Sequence, residues 1–447
     1  MKKKFSLSTT QTIMLSFLCV ILLGSLLLSL PISSASGKAV PYLDALFTAT
    51  TATCVTGLVT VTTVTTWSVF GQAVILVLIQ IGGLGVITIL SSVMILLHKQ
   101  MGIGDRLLLQ DAFNLNSLAG IVQFVKKVML GTFLVEGIGA VLYMTVFVPE
   151  FGLKGIWISV FTAISAFCNA GIDIIGENSL CDYATNPIIN TVTSLLIILS
   201  GIGYIVWWDV LRTGKKPGKR WKHLTLHSKI AIATTLILIF GGGLLIFLFE
   251  YDNPATIGKM GLFDKIQVSL FQSITTRTAG FASVPQQDLT NGSSILCLLL
   301  MFIGGSPVGT AGGIKTVTFA VLVVSALATI QNKNEVTLFH RNIPKQAINK
   351  AVAVTAMSFG ILFVSTLLLT AVTNANPLDI LYETVSATAT VGLTRNLTGQ
   401  LGSVGKVIII ATMYLGRVGP ISLALALNSS KKNQNIITNP TEDISVG

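Results

Sequence analysis

Four short segments of this chain share one layout: an aromatic residue, a run rich in Thr, Ser and Ala, and a closing glycine. They run from Phe47 to Gly57, Phe161 to Gly171, Phe271 to Gly280 and Tyr382 to Gly392. The glycine follows the aromatic by ten positions in three segments and by nine in the third. Such residues offer no nucleophile paired with a base and no set of metal-binding side chains. What they can supply is backbone chemistry. The closing residues are Cys54-Val55-Thr56-Gly57, Cys168-Asn169-Ala170-Gly171, Arg277-Thr278-Ala279-Gly280 and Ala389-Thr390-Val391-Gly392. Glycine allows backbone conformations closed to other residues and leaves room near an axis. Four such strands can aim carbonyl oxygens at a monovalent cation and replace its hydration shell. No carboxylate lies in the last four residues of any segment, which argues against a divalent-cation ring.

The run before each glycine is long enough for a short helix and too short to cross a bilayer. Its mild polarity suits burial in protein, and non-helical backbone at membrane depth is tolerated only there or beside a water-filled cavity. Each segment therefore reads as a re-entrant helix followed by an extended strand returning outward. A helix entering from outside points its partially negative C-terminus at the membrane centre, which favours a cation. Small residues can also serve only to pack helices closely. That explanation suits one segment, but not four in register.

The elements that must position these segments are membrane spans. The 447-residue chain is 52% hydrophobic and 11% charged, with mean hydropathy +0.79. Soluble proteins carry about 25% charged residues. Apolar runs near the ~20 residues needed for a span recur throughout. Spans are expected at 11–31, 68–97, 122–148, 188–211, 229–249, 293–329, 347–372 and 403–427. The run at 11–31 is longer than a signal-peptide core of 7–15 residues and reads as an uncleaved first span. The net charge of +11 does not indicate nucleic acid, because 20 of the 29 Lys and Arg fall at the termini and in alternate loops. That is the positive-inside pattern. It places both termini in the cytoplasm, the basic loops against anionic lipid, and all four glycine segments outside. The unit is span, segment, span, repeated in parallel over about 11–97, 122–211, 229–329 and 347–427.

The second span of each unit carries an echo: Gly82-Gly-Leu-Gly85, Ser200-Gly-Ile-Gly203, Gly304-Gly-Ser-Pro-Val-Gly309 and Gly416-Arg-Val-Gly419. The third of these spans is too long for one crossing. It is interrupted by Gly304, Gly305, Ser306, Pro307, Val308, Gly309, Thr310, Ala311, Gly312 and Gly313. Proline and clustered glycine disfavour helix, so two half-helices joined by an intramembrane loop are expected. A merely kinked helix is the alternative. Arg417 lies within the eighth span, where an arginine is costly and faces the bundle interior. It reads either as half of a structural ion pair, with Glu136 as a conceivable partner, or as a positive barrier beside a pore. Lys315 either holds the loop or snorkels to the interface.

Three motifs make the chain resemble the Trk/Ktr/HKT superfamily of potassium transporters, and within it the membrane subunit of the Ktr type. They are the four glycine segments, the run Gly304 to Thr316, and the run Met413 to Pro420. The resemblance spans essentially the whole chain. It implies an all-α polytopic fold of four M1–P–M2 repeats around one central pore, with eight transmembrane helices and four re-entrant pore helices. It implies a filter whose four glycines select K+, with Na+ permeating or stimulating transport. The Gly304–Gly313 run with Lys315 becomes a gating loop, and the barrier reading of Arg417 is favoured. Arg277 is expected to brace the filter from behind. The implied assembly is a homodimer in the cell membrane on a separate cytosolic ring that binds ATP or ADP.

Other readings have less support. A sodium-selective or sodium-coupled member of the same superfamily is the nearest. A secondary transporter of a small organic solute would be built from inverted repeats. A membrane-embedded enzyme would need clustered His, Asp or Glu within the spans. There is no Walker A motif, and Gly82-Gly-Leu-Gly85 follows no strand, so no nucleotide site or organic cofactor is expected in this chain. Cys19, Cys54, Cys168, Cys181 and Cys297 show no metal or redox spacing. His223 and His227 lack acidic neighbours, so no metal site is expected there.

Overall fold

The computed structural model describes residues 8–97, 102–112, 120–213 and 220–419. Among them the regular structure is helical, apart from a small hairpin pairing Thr337–Leu338 with Arg341–Asn342. Four helices are long and apolar enough to cross a membrane: Thr9–Leu28, Ile121–Phe151, Leu226–Glu250 and Lys345–Val372. Their largely apolar sequences leave Leu23, Phe240 and Phe363 exposed on outward faces, as lipid contact requires. The first begins at a capping box, with Ser8 accepting from the Gln11 amide and the Gln11 side chain returning to Ser8.

Each long helix is followed by a short one: Tyr42–Cys54, Lys154–Cys168, Leu262–Thr275 and Pro377–Ala389. The inner turns of these helices are buried, hydroxyls included, with Thr50, Thr51, Ser165, Thr275 and Ser386 all shielded from solvent. The second helices of the units begin with Val69–Leu84, Pro187–Gly201, Asn291–Phe302 and Ser403–Val418. Each packs on the short helix of the next unit, and Ser403–Val418 packs back on Tyr42–Cys54, so the chain closes into a ring.

Two spans differ from the sequence expectation. The runs at 68–97 and 188–211 are not straight crossings. The first bends by 94° between Val69–Leu84 and the helix that follows, and the second by 93° between Pro187–Gly201 and Tyr204–Thr213. The cause lies in the glycine echo. Gly85 adopts φ 88° and ψ 134°, and Gly203 has φ 93°, conformations that do not continue a helix and that only glycine takes readily. In the fourth unit the helix stops at Val418, and Gly419 repeats the geometry with φ 88° and ψ 141°. The rest of the expected 403–427 span, Pro420, both termini and most of the basic run from Lys215 lie outside the described residues. The third unit is interrupted as expected, by residues 303–315 between Asn291–Phe302 and Thr316–Ile330.

Candidate functional site

The four closing glycines meet. All have positive φ: 98° at Gly57, 61° at Gly171, 82° at Gly280 and 100° at Gly392. A side chain on any of them would strike the carbonyl that precedes the next glycine. A Cβ would lie 2.5 Å from the Ala170 oxygen at Gly57 and 2.5 Å from the Ala279 oxygen at Gly171. At Gly280 and Gly392 it would press into the Val391 and Thr56 oxygens. The sequence of contacts runs through all four segments and returns to its start. Two residues before each glycine the backbone is left-handed as well: φ is 55° at Val55, 59° at Asn169, 68° at Thr278 and 51° at Thr390. Positions with positive φ thus flank one without it. Such alternation turns successive carbonyls toward one side instead of to opposite sides as in a β-strand.

A hydroxyl at the base of each short helix ties this backbone down. The Gly57 amide donates to Thr51 Oγ1 and the Gly392 amide to Ser386 Oγ, both at 3.0 Å. Ser165 Oγ donates to the Ile172 carbonyl (2.5 Å) and accepts from the Ile172 amide (3.1 Å). Thr275 Oγ1 donates to the Phe281 carbonyl at 2.6 Å. The sequence carries a signal for these four residues in spacing alone: a hydroxyl recurs six positions before three glycines and five before the third. The one-residue shortening of the third segment is taken up in that turn.

Behind the ring, Arg277 is buried and donates to Thr235 Oγ1 on the Leu226–Glu250 helix at 3.2 Å. Cys54 and Cys168 are buried free thiols, and the Cys168 sulfur lies 3.6 Å from Gln80 Oε1. Outside the ring, Asp173 follows Gly171 by two residues; the matching positions are Val59, Ala282 and Thr394. Its half-buried carboxyl is pushed up to about 6 by desolvation, against which the Ile175 amide, Ser179 and the Gly176 amide donate hydrogen bonds.

The interruption of the third unit lies against the opposite side of the ring. Its ends are pinned together, the Gly304 amide donating to the Ile314 carbonyl at 2.9 Å and the Thr316 amide to the Gly305 carbonyl at 2.9 Å. Ser306 Oγ lies 2.7 Å from Thr316 Oγ1. The broken helix of the second unit forms one wall. The Ser306 amide donates to the Gly201 carbonyl (2.7 Å) and the Tyr204 amide to the Val308 carbonyl (3.0 Å). A side chain on Gly203 would meet the Pro307 carbonyl, and one on Gly309 the Ser200 carbonyl. A side chain on Gly312 would meet Thr390 Oγ1 and the Ala389 carbonyl. Lys315 Nζ donates to the Ala311 carbonyl at 2.5 Å, within the loop itself.

Arg417 does not form the ion pair that the sequence allowed. One guanidinium nitrogen donates to the Thr310 carbonyl at 2.7 Å and another to the Gly82 carbonyl. Glu136 is held instead by Gln80 Nε2, at 3.2 and 3.3 Å. The arginine therefore bridges the interruption of the third unit and the broken helix of the first. Among the described residues no three His, Cys, Asp or Glu side chains group as metal ligands do.

Comparison with known proteins shows the family and the fold. The family model described as TrkH, cation transport protein, matches residues 2–436. The Ktr system potassium uptake protein B of Bacillus subtilis is 40% identical over 438 residues, covering 98% of this chain and 96% of that protein. The potassium/sodium uptake protein NtpJ of Enterococcus hirae is 38% identical over 459 residues, covering 100% and 99%. The crystal structure of the potassium transporter TrkH from Vibrio parahaemolyticus has the same fold. It superposes with a TM-score of 0.75 over 96% of this chain and 87% of that one, at 16% identity.

Proposed function

The chain belongs to the Trk/Ktr/HKT superfamily of cation transporters, and from that premise we propose that it carries K+ into the cell through the ring of four glycine turns. It is a multi-pass membrane transport protein, not an enzyme. One observation carries the assignment of the ring: each glycine makes room for the carbonyl preceding the next, so the four segments close on one another with no side chain between them. Backbone oxygens in such a ring can stand in for the hydration shell of a monovalent ion. The flanking positive-φ residues supply the backbone alternation that aims several carbonyls inward from each segment. In this reading eight spans and four pore helices surround one pore.

The intramembrane loop, residues 303–315, is then the gate. It sits under the ring, and Arg417 holds it through the Thr310 carbonyl. The arginine also places a positive charge beside the permeation path, which hastens release of a cation and limits leak. The chain acts as a homodimer on a cytosolic nucleotide-binding ring, whose ATP or ADP state moves the loop. The Enterococcus relative is a potassium/sodium uptake protein, which favours sodium permeation or stimulation as the second reading.

Growth of a potassium-uptake-deficient bacterium at low K+, with and without a candidate cytosolic subunit, tests the assignment. Rescue that depends on the subunit is expected. Absence of rescue from a protein present in the membrane with its partner would overturn it.

A further inference from the structure

The filter segments and the loop beneath them do more than touch, and the contacts are unequal in a way that carries consequences. In all four segments the residue two before the glycine is left-handed. In the first segment it is Val55, which cannot hydrogen-bond and packs toward Gly82. In the fourth it is Thr390, whose buried hydroxyl has no partner and faces Gly312. In the second and third it bonds the loop directly. Asn169 Nδ2 donates to Thr310 Oγ1 at 3.1 Å, and the Gly312 amide donates to Thr278 Oγ1 at 3.0 Å. Thr310 is also the residue whose hydroxyl donates to the Phe167 carbonyl (3.2 Å) and whose carbonyl accepts from Arg417 (2.7 Å). Ser200 Oγ holds the other end of the Asn169 amide at 3.3 Å. All of these side chains but Arg417 are fully buried, so a bond broken here is not replaced by bulk water.

Building on the filter and gate reading above, we propose that Asn169 and Thr278 are positioning residues through which the loop and the ion-binding backbone control one another. The loop cannot leave its seat without releasing the Asn169 and Thr278 side chains. These belong to the backbone that shapes the second and third filter strands. The seated loop therefore holds the filter in its tighter form, and a displaced loop leaves it looser. Linkage makes the effect reciprocal: if seating the loop raises K+ affinity by some factor, bound K+ favours the seated loop by the same factor. Ion entry and inward release are then alternating phases of one equilibrium. A neutral hydrogen bond contributes about 1 kcal/mol, equivalent to about a fivefold shift in such an equilibrium.

The test is K+ uptake kinetics in the full-length protein with its cytosolic partner. Thr310→Val removes the hydroxyl at constant shape. Asn169→Gly removes the side chain while keeping the left-handed backbone free of strain. Each is expected to raise Vmax and KM together, by about fivefold, and to lower K+ over Na+ discrimination. Thr310→Ser, which restores the hydroxyl, should return KM and discrimination to wild-type values. The double variant should be no stronger than either single one. A lower Vmax at unchanged KM, or fully additive single effects, would overturn the coupling. Failure of the filter reading has a separate signature: Gly57→Ser would then leave ion preference unchanged, whatever the Asn169 variants do.

Discussion

The glycine ring and the layer beneath it follow opposite rules. In the ring the four segments are near-equivalent: the same positive-φ pair, a hydroxyl brace at the base of each short helix, the same contact from each glycine to the next carbonyl. In the layer below, the same position in each second helix is used differently. Gly85 alone bends the first unit and Ile202-Gly203 the second, the third unit inserts a loop, and the fourth contributes Arg417 to hold that loop. Under the proposed function the contrast has a reason. An ion held between four strands needs equal oxygens on all sides, which would enforce equivalence in the ring, and a gate needs one part that moves against three that do not, which would release it below.

The largest break of this comparison is within the ring. Gly57→Ser adds a Cβ at a position with φ 98° and only 2.5 Å from the Ala170 oxygen. Overpacking of a tight site costs about 1–3 kcal/mol, and about 1.4 kcal/mol is tenfold in affinity. Discrimination of K+ from Na+ in competition uptake is expected to fall by about tenfold or more. Equal loss from Gly171→Ser would affirm the equivalence of the four positions. Unaltered discrimination in both would remove the ring from the ion path.

In the layer below, deletions within Ser306–Gly312 set the third unit against the first. Removing these residues should raise K+ flux several-fold in folded protein. Gly85→Ala instead places a side chain at φ 88°, where it is strained, and should lower the amount of folded protein without raising flux per molecule. If the two changes had the same effect, the bends and the loop would not differ in kind. Arg417→Ala tests the bridge between them. It removes a charge-assisted hydrogen bond to the Thr310 carbonyl and another to Gly82, each contributing about 1.5–3 kcal/mol. Single-channel or flux measurements should show higher conductance, and Arg417→Lys should restore only part of the wild-type value, since one ammonium replaces a two-pronged donor. Equal conductance in Arg417→Ala and wild type would exclude the barrier.

The sequence displayed the ring more fully than the layer below, and for a physical reason. A glycine at positive φ with a carbonyl against its α-carbon has no substitute, so the requirement is written in residue type, as at Gly57 and Gly392. The loop was legible because Gly304 to Gly313 combines glycine density with Pro307. The bends at Gly85 and Gly203 were hidden because both arms are apolar, and hydropathy reads a bent helix as one long span. The partners of Arg417 were invisible because backbone carbonyls have no signature; Glu136, the conceivable ion-pair partner, is held by Gln80. The braces at Thr51, Ser165, Thr275 and Ser386 were visible in the spacing but indistinguishable from ordinary small-residue packing until the bonds were seen.

The equivalence of the ring ends on its outer face as well, at Asp173. A carboxylate two residues beyond Gly171 gives the mouth of the proposed path a charge absent from the matching positions Val59, Ala282 and Thr394. Burial pushes it up to about 6, so it is ionised at neutral pH and protonated in mildly acidic medium. On the proposed path such a charge raises local cation occupancy, since a unit charge a few ångströms away in water contributes on the order of 1 kcal/mol. Lowering external pH from about 7.5 to about 5 should therefore reduce K+ uptake at limiting K+ several-fold, and Asp173→Asn should be slow at both. Stability should show the opposite sign. With the folded value above the ordinary carboxyl range, the folded state holds its proton more tightly than the unfolded chain. Stability from this group is then lost as pH rises through about 4 to 6. Asp173→Asn should accordingly melt higher than wild type at pH 7.5 while transporting less. A variant that melted no higher, or that kept the pH response, would assign the titration to another group and leave the outer face as uniform as the ring.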